Sequence, residues 1–290
     1  MIARLGVSLI WLLHFLPLGA QAAIGNGLGR LLFWLIPERR RVTRVNLAKC
    51  FPQMAPEARE RLARAHFRAF TRSLVEHGVL WWAPEARIRR LIRIEGLEHL
   101  QGLRGTPVIL LVPHFVGLDA CATRLALEIS AVGIYSKQKN ALLTRLLTHG
   151  RVRFGNQHAV SRQEGVRTAI RSMQRGKRPF YYLPDQDYGP RDALFVPFFG
   201  VPAATIPGLS RIARLGGAKV VPCITRMLPG GAGYVVQLEP PWEDFPCGDH
   251  YADTRRMNEY IERQVLAMPE QYLWMHKRFK TRPPGEARFY

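Results

Sequence analysis

The stretch from Thr106 to Ile129 constrains the fold most, because a strand, a sharp break and a helix follow one another within it. Aliphatic residues run from Pro107 to Val112 and end at Pro113, which is typical of a buried strand. Beyond the break, apolar residues recur at spacings of three and four, as on one face of a helix. They are Leu118, Ala122, Leu125 and Ile129. The stretch therefore predicts a strand that leads through a tight turn into a helix.

Strands and helices alternate along the rest of the chain. The predicted strands span 131–135, 178–183, 218–224 and 234–238, and the predicted helices span 56–80, 142–149, 162–175, 204–215 and 254–268. This alternation is typical of an α/β fold, here with a central mixed sheet flanked by helices. The length of 290 residues, without a linker or an internal repeat, indicates a single large domain from residue 37 to residue 290.

His114 and Asp119 lie on the predicted turn and at the start of the helix after it. On one continuous helix their side chains would point about 140° apart, so they can meet only if His114 lies on the turn. A carboxylate beside an imidazole fixes its tautomer and raises its basicity, as in acyl-transfer enzymes. No serine or cysteine lies next to the pair, which favours direct attack by a substrate hydroxyl without an acyl-enzyme intermediate. An ordinary turn histidine and a helix-start carboxylate remain the alternative.

Charge and cysteine content limit the classes of function. The chain has 42 Lys and Arg residues against 22 Asp and Glu, a net charge of +20. Such an excess predicts an anionic partner: nucleic acid, an acidic protein or an anionic membrane. The four cysteines are scattered without a CxxC pair, which fits neither a zinc knuckle nor a dense disulfide framework. We expect no metal site and no cofactor.

The N-terminal segment from Leu5 to Ile24 has no charged residue and approaches the roughly 20 residues that span a bilayer. Four arginines between positions 39 and 44 follow it and favour a cytoplasmic location for the chain beyond. We therefore expect residues 1–36 to form an uncleaved membrane-anchor helix. Two alternatives stay open: a cleavable signal peptide, since Ala20-Gln21-Ala22 resembles a cleavage site, and a helix lying in the membrane interface.

Three arginines, Arg151, Arg153 and Arg162, follow the helix predicted at 142–149. A guanidinium group donates two parallel hydrogen bonds and therefore suits a phosphate ligand. We treat the three as candidate substrate-binding residues. A solvated basic loop is the alternative.

A second polar cluster, Asp185, Gln186 and Asp187, follows the strand predicted at 178–183. In open α/β sheets, ligands bind at the carboxyl ends of strands, so these residues would hold arginines in place or receive hydroxyls of a substrate. An ordinary turn is the alternative. The apolar segment 195–205, with three phenylalanines and two prolines, predicts a rigid loop that serves as the wall of an acyl-chain site or as core.

Several blocks of the sequence together resemble the late acyltransferases of lipid A biosynthesis, the lauroyl/myristoyl transferase family. They run in order along nearly the whole chain: NLAKCFP, HFVGLD, RFGNQ, YYLPDQD, FVPFFGVPAAT and PEQYLWMHKRFKTRPPG. So many ordered blocks make the resemblance far more specific than the H-x4-D box alone.

The resemblance implies an enzyme at the cytoplasmic face of the bacterial inner membrane. It would move a fatty acyl group from acyl carrier protein to a hydroxyl of a phosphorylated glycolipid, a lipid A precursor. It assigns catalysis to His114 and Asp119, and it places Arg162 and Asp185 in later blocks of the site. Family members often carry glutamate where this chain has Asp119, which is one methylene shorter. The acidic carrier protein, the phosphorylated acceptor and anionic inner-membrane lipids all match the charge of +20.

Two other functions remain compatible with the residues. Acyl transfer to another membrane lipid, such as a lysophospholipid or an ornithine lipid, would use the same box and the same arginines. A basic, membrane-tethered nucleic-acid-binding protein would explain the charge but not the H-x4-D box. The usual nucleic-acid-binding motifs are absent from the sequence, so we expect no nucleic-acid partner.

Overall fold

The computed structural model describes residues 2–135, 140–155, 157–161, 165–176 and 178–290. The strands are β1 (Ile92–Glu95), β2 (Val108–Leu111), β3 (Val132–Tyr135), β4 (His158–Ser161), β5 (Phe180–Tyr182), β6 (Leu194–Phe198), β7 (Val201–Thr205), β8 (Lys219–Met227) and β9 (Tyr234–Leu238). Seven of them form one sheet in the order β1-β9-β8-β2-β5-β3-β4, and β6 and β7 form a separate hairpin. Neighbours in the sheet are parallel except β8 and β9, so the sheet is mixed.

Helices flank this sheet, which confirms the predicted α/β domain. They are α1 (Ile2–Leu13), α2 (Leu18–Leu35), α3 (Pro37–Cys50), α4 (Pro56–Trp82), α5 (Glu85–Leu91), α6 (Glu98–Gln101), α7 (Leu118–Leu125), α8 (Ala141–Val152), α9 (Gly165–Gly176), α10 (Gly208–Gly216) and α11 (His250–Ala267). The longest is α4, which begins with a proline at its first turn, where the missing N–H leaves no hydrogen bond unmade.

Strand β2 lies inside the sheet, between β8 and β5, and all four of its residues are buried. A strand covered on both faces reads as a continuous apolar run, as this one does in the sequence. The strand ends at Leu111, Pro113 follows, and α7 begins at Leu118. The strand, turn and helix predicted for the organising stretch are therefore confirmed.

The other predicted strands coincide with β3, β5, β8 and β9, and the predicted helices overlap α4, α8, α9, α10 and α11. Strands β1 and β4 were not predicted, because neither shows the continuous apolar run that marks β2 in the sequence. The prediction of a loop at 195–205 is wrong, since this segment forms the β6–β7 hairpin. Pro197 and Pro202 face each other across it, and prolines argue against a strand in a sequence because they lack an N–H. The hairpin also delays the start of α10 to Gly208.

The N-terminal segment forms two helices with a break at Pro17 between them. Within the described residues, no helix is both long and apolar enough to cross a membrane, so the expected membrane-spanning anchor is not supported. Helix α2 packs closely on α4. A Cβ atom added at Gly25 would lie 2.5 Å from the Cα of Arg72, and one at Gly29 would lie 2.6 Å from the Cα of Arg68. The boundary expected after residue 36 stays a prediction.

A segment near the C-terminus fixes the turn that carries His114. The backbone N–H of Val116 donates to the carbonyl of Gln271 at 2.9 Å, and that of Leu273 donates to the carbonyl of His114 at 3.0 Å. The amide of Asn46, on α3, in turn donates to two backbone carbonyls of this segment, at 2.7 and 2.8 Å. The turn after β2 is therefore held by hydrogen bonds from distant parts of the chain.

Candidate active site

The segments that follow β2 and β5 line a cavity of about 760 Å³. Four of its polar side chains were predicted as site residues, namely His114, Asp119, Arg151 and Gln186. Apolar side chains from the sheet, α7, α9 and α10 make up much of the remaining wall, among them Leu125, Val132, Ile170, Ile212 and Leu215. A few polar groups in a largely apolar cavity of this size are typical of a small-molecule site.

The pairing register of two strands places His114 beside Asp185. Strands β2 and β5 are parallel neighbours, with Ile109 opposite Phe180 and Leu111 opposite Tyr182, an offset of 71 residues. His114 lies three residues beyond Leu111, and Asp185 lies three residues beyond Tyr182, so these two residues have the same offset. Pro113 and Pro184 end the two strands just before these residues. The two side chains therefore meet at the carboxyl edge of the sheet, where ligands of α/β proteins bind.

Asp185 fixes the tautomer of His114. Its Oδ1 lies 2.7 Å from the ring Nδ1 of His114, and its carboxylate also accepts the His114 backbone N–H at 3.1 Å. Burial alone would raise the pKa of Asp185, but the charge and hydrogen bonds of His114 outweigh it, so the pKa is lowered and the carboxylate is ionised. An ionised carboxylate accepts, so Nδ1 carries the hydrogen. The other nitrogen, Nε2, is then the basic one, and no described residue is hydrogen-bonded to it.

Asp119 has different partners. Its Oδ1 accepts from Arg151 at 2.8 Å, and its Oδ2 lies 3.2 Å from Nε2 of His77 on α4. The expected contact between Asp119 and His114 is therefore wrong, because Asp185 occupies the ring nitrogen that Asp119 would have taken. Both residues nevertheless line the same cavity.

The two arginines near the end of α8 have different environments. Arg151 lies against Asp119 and lines the cavity. Arg153 does not line it: its guanidinium donates to the carbonyl of Trp81 at 2.7 Å and to that of Ala83, at the C-terminal end of α4. Those carbonyls have no partner within a helix, so Arg153 caps α4. The structure does not support the prediction that Arg153 binds substrate.

The remaining predicted residues are also separated by the structure. Gln186 lines the cavity, whereas Asp187 is buried and does not line it. Asp187 accepts from the backbone N–H and the hydroxyl of Thr281, at 2.6 and 2.8 Å, and so ties down the C-terminal segment. Arg162 lies outside the described residues, and its role stays a prediction.

Sequence reasoning missed two histidines near the site. His77 is buried behind Asp119 among other buried polar residues of α4, such as Ser73 and Glu76, so the sequence carries no signal that singles it out. His276 lies near His114, and its Nε2 accepts the backbone N–H of Asp187 at 3.1 Å. Burial first, and then the nearby charge of His114, lower the pKa of His276 to about 4, so it is neutral at physiological pH. Within the described ranges, no group of three or more His, Cys, Asp or Glu residues is placed to hold a metal ion.

Comparison with known proteins decides the family. Residues 1–281 match the sequence profile of the family described as bacterial lipid A biosynthesis acyltransferase. This chain belongs to that family. The lipid A biosynthesis lauroyltransferase of Escherichia coli K12 is 34% identical over 97% of this chain and 92% of its own length. The lipid A biosynthesis myristoyltransferase of the same strain is 32% identical over 99% of this chain and 90% of its own length.

Membership of the lipid A acyltransferase family confirms the resemblance seen in the sequence and makes the protein an acyltransferase. Among solved structures, a 1-acyl-sn-glycerophosphate acyltransferase from Thermotoga maritima matches with a TM-score of 0.39 and 16% identity, covering 84% of this chain and 97% of that chain.

Proposed function

We propose that this acyltransferase moves a fatty acyl group from acyl carrier protein to a hydroxyl of a lipid A precursor, with His114 as the general base. The observation that carries the proposal is the His114–Asp185 pair at the cavity: a buried carboxylate holds the ring so that Nε2 is basic. Such a base, with its orienting carboxylate, is what direct attack by a hydroxyl requires.

The chemical step needs no protein nucleophile, because the acceptor hydroxyl attacks the thioester directly. Nε2 of His114 takes the proton of the acceptor hydroxyl while the hydroxyl oxygen forms a bond to the thioester carbonyl carbon. The tetrahedral intermediate collapses, the carbon–sulfur bond breaks, and the ester and a thiolate leave. Since a thiol has a pKa of about 8.5, the thiolate departs with little acid assistance and takes up the proton from His114 or from water. Asp185 stabilises the imidazolium that forms between these steps.

Arg151 is the candidate for binding negative charge in the cavity. Its Nε and Nη2 both lie 2.8 Å from Asp119, so its remaining guanidinium nitrogen, Nη1, is the one available to a ligand. A phosphate of the acceptor or the developing oxyanion of the thioester would be bound by such a donor. The apolar wall of the cavity is suited to the acyl chain of the donor.

The surroundings of the cavity support an acidic donor and an anionic surface. A net charge of +20 attracts an acidic carrier protein. Helices α1 and α2 expose large apolar side chains that a folded core would ordinarily bury, among them Leu5, Leu9, Leu12, Leu31 and Trp34. We propose that these helices lie in the interface of the inner membrane, on its cytoplasmic face, next to the lipid acceptor.

The proposal is tested with the purified protein, a lauroyl- or myristoyl-loaded acyl carrier protein and a lipid A precursor. Mass spectrometry should show one added acyl group, and the His114→Ala variant should add none. A lysophospholipid and an ornithine lipid serve as competing acceptors. Preferred acylation of either would overturn the lipid A assignment and keep the acyltransferase. Acylation of the precursor from acyl-coenzyme A, but not from the acyl carrier protein, would overturn the proposed donor.

A further inference from the structure

His77 is a buried histidine that does not reach the cavity but contacts a residue that does. It lies on α4 with 11% of its side chain exposed, and its Nε2 is 3.2 Å from Oδ2 of Asp119. Asp119, on the first turn of α7, lines the cavity together with Arg151 of α8. Three elements of the fold therefore meet at one carboxylate.

The hydrogen bonds of His77 determine where its protons are. Nδ1 lies 2.6 Å from the backbone carbonyl of Ser73, and a carbonyl can only accept, so Nδ1 carries a hydrogen. Nε2 faces a carboxylate oxygen. A neutral ring would place a lone pair against that oxygen, whereas an imidazolium donates to both partners. Asp119 cannot supply the proton instead, because Arg151 keeps its carboxylate ionised from the other side.

The charges around the ring agree with this assignment. Burial alone would lower the pKa of His77, but the hydrogen bond and charge of Asp119 outweigh it, so the pKa is raised. Burial would likewise raise the pKa of Asp119, but Arg151 and His77 hold it well below its usual range. Arg151 of α8 opposes the charge on His77, while Glu76, the preceding residue on α4, favours it and is itself paired with Arg72. The result is a fixed row of charges: positive, negative, positive.

We propose that His77 is a positioning residue for acyl transfer: as an imidazolium it holds Asp119 from behind, and Asp119 in turn directs the Arg151 guanidinium into the cavity. This inference rests on the proposed function. Loss of the proton from Nε2 leaves two lone pairs facing each other, so Asp119 turns away and Arg151 loses its support. Activity should therefore fall at alkaline pH, as His77 gives up its proton, although arginine and aspartate keep their charges there.

Three variants test the proposal through the pH dependence of kcat/KM. In His77→Gln the amide can donate to Asp119 at every pH, so the rate near neutrality should stay within a few-fold of wild type and the alkaline fall should disappear. In His77→Phe the donor is absent, and the rate at all pH values should be about tenfold lower, the effect of losing one hydrogen bond to a charged group. An alkaline fall that is the same in wild type and His77→Gln would overturn the proposal.

His66 provides a matched control. It is fully buried on the same helix, 11 positions earlier, which places it about three turns away on nearly the same face. Its Nδ1 contacts the carbonyl of Glu270 at 3.1 Å, and burial lowers its pKa to about 4, so it is a neutral buried histidine. His66→Gln should therefore leave the pH profile unchanged. A shift of the profile equal to that of His77→Gln would overturn the proposal, since any buried histidine would then have the same effect.

A direct measurement of the proton does not depend on activity. In protein labelled with ¹⁵N-histidine, the ring nitrogens of His77, identified by their loss in His77→Gln, should both carry hydrogen at pH 7, whereas those of His66 should not. A neutral His77 ring at pH 7 would overturn the proposal even if the protein acylates lipid A precursor. An imidazolium in a protein that fails to do so would overturn the proposed function and leave the charge row intact.

Discussion

Two histidine–aspartate pairs adjoin the cavity. In one pair the histidine lines the cavity, and in the other the aspartate does. In the first, the carboxylate of Asp185 is buried, with 1% of its side chain exposed, while 13% of the His114 side chain is exposed and the residue lines the cavity. In the second, His77 is behind and Asp119 lines the cavity, with 18% of its side chain exposed. The same two types of side chain therefore present an imidazole to the cavity in the first pair and an ionised carboxylate in the second.

The difference between the two pairs follows from the other groups that contact the residue lining the cavity. The Nδ1 of His114 faces the carboxylate of Asp185, and no described residue is hydrogen-bonded to its Nε2, which is therefore open to the proton of a substrate hydroxyl. Asp119 lies between two cations, His77 and Arg151, and its charge is fixed. A histidine–aspartate contact can therefore serve two purposes. It can transfer a proton if the histidine faces the ligand, and it can keep a carboxylate ionised and oriented if the aspartate does.

The largest expected effect is at the first pair. His114→Ala removes the proposed base and should lower kcat by about 10⁴-fold, the upper end of the range for general-base losses. The protein should remain folded, because the ring makes one buried hydrogen bond and the turn is held by its backbone. Rates from a quenched assay, with exposed His149→Ala on α8 as the control, provide the measurement. Comparable rates for the two variants would remove His114 from the mechanism.

Asp185→Asn keeps the size of the side chain but removes the charge that stabilises the imidazolium and fixes the tautomer. We expect kcat to fall by about 10²–10³-fold, with a smaller change in KM. Steady-state kinetics with varied acceptor separates the two parameters. If Asp119→Asn instead gave the larger loss of kcat, the assignment of the two carboxylates would have to be exchanged.

The second pair should act as a unit with Arg151. Arg151→Ala should lower kcat/KM for the phosphorylated acceptor by about 10–10²-fold, and Arg151→Lys should recover only part, since an ammonium lacks the planar fork of donors. Because Asp119 acts through Arg151, the double variant with Asp119→Asn should be little worse than either single one. A double-variant cycle measures the coupling, and fully additive losses would mean that the residues act independently.

The smallest effect on activity is expected two residues further along the chain. Arg153→Ala should leave kcat unchanged and lower the free energy of unfolding by about 2 kcal/mol, because two carbonyls at the end of α4 lose a charged donor. Denaturant unfolding, with the exposed Arg145→Ala as the control, measures this loss. A fall in kcat without a loss of stability would indicate that Arg153 binds substrate and does not act as a helix cap.

Local patterns predicted the strand, the turn and the helix around His114, because each depends on residues close together in sequence. The partner of His114 depends instead on how β2 pairs with β5, and the sequence of either strand alone does not state that register. Asp119 was chosen because it is near in the chain. Similarly, Arg151 and Arg153 look alike in a sequence, and only the position of α4 separates the cavity residue from the helix cap. His77 could not be found from the sequence because its side-chain partner, Asp119, lies on another helix, 42 positions further along the chain.

The register between β2 and β5 also has an evolutionary consequence. The loops within the connection between the two strands can change length while His114 stays beside Asp185, since the pairing of the strands brings these two residues together. The three residues that follow each strand have no such freedom. One residue inserted after Tyr182 would send the carboxylate to the opposite side of the sheet, because successive side chains alternate. Among descendants of this chain, insertions should therefore accumulate in the loops of the connection and be absent from the short segments that directly follow β2 and β5.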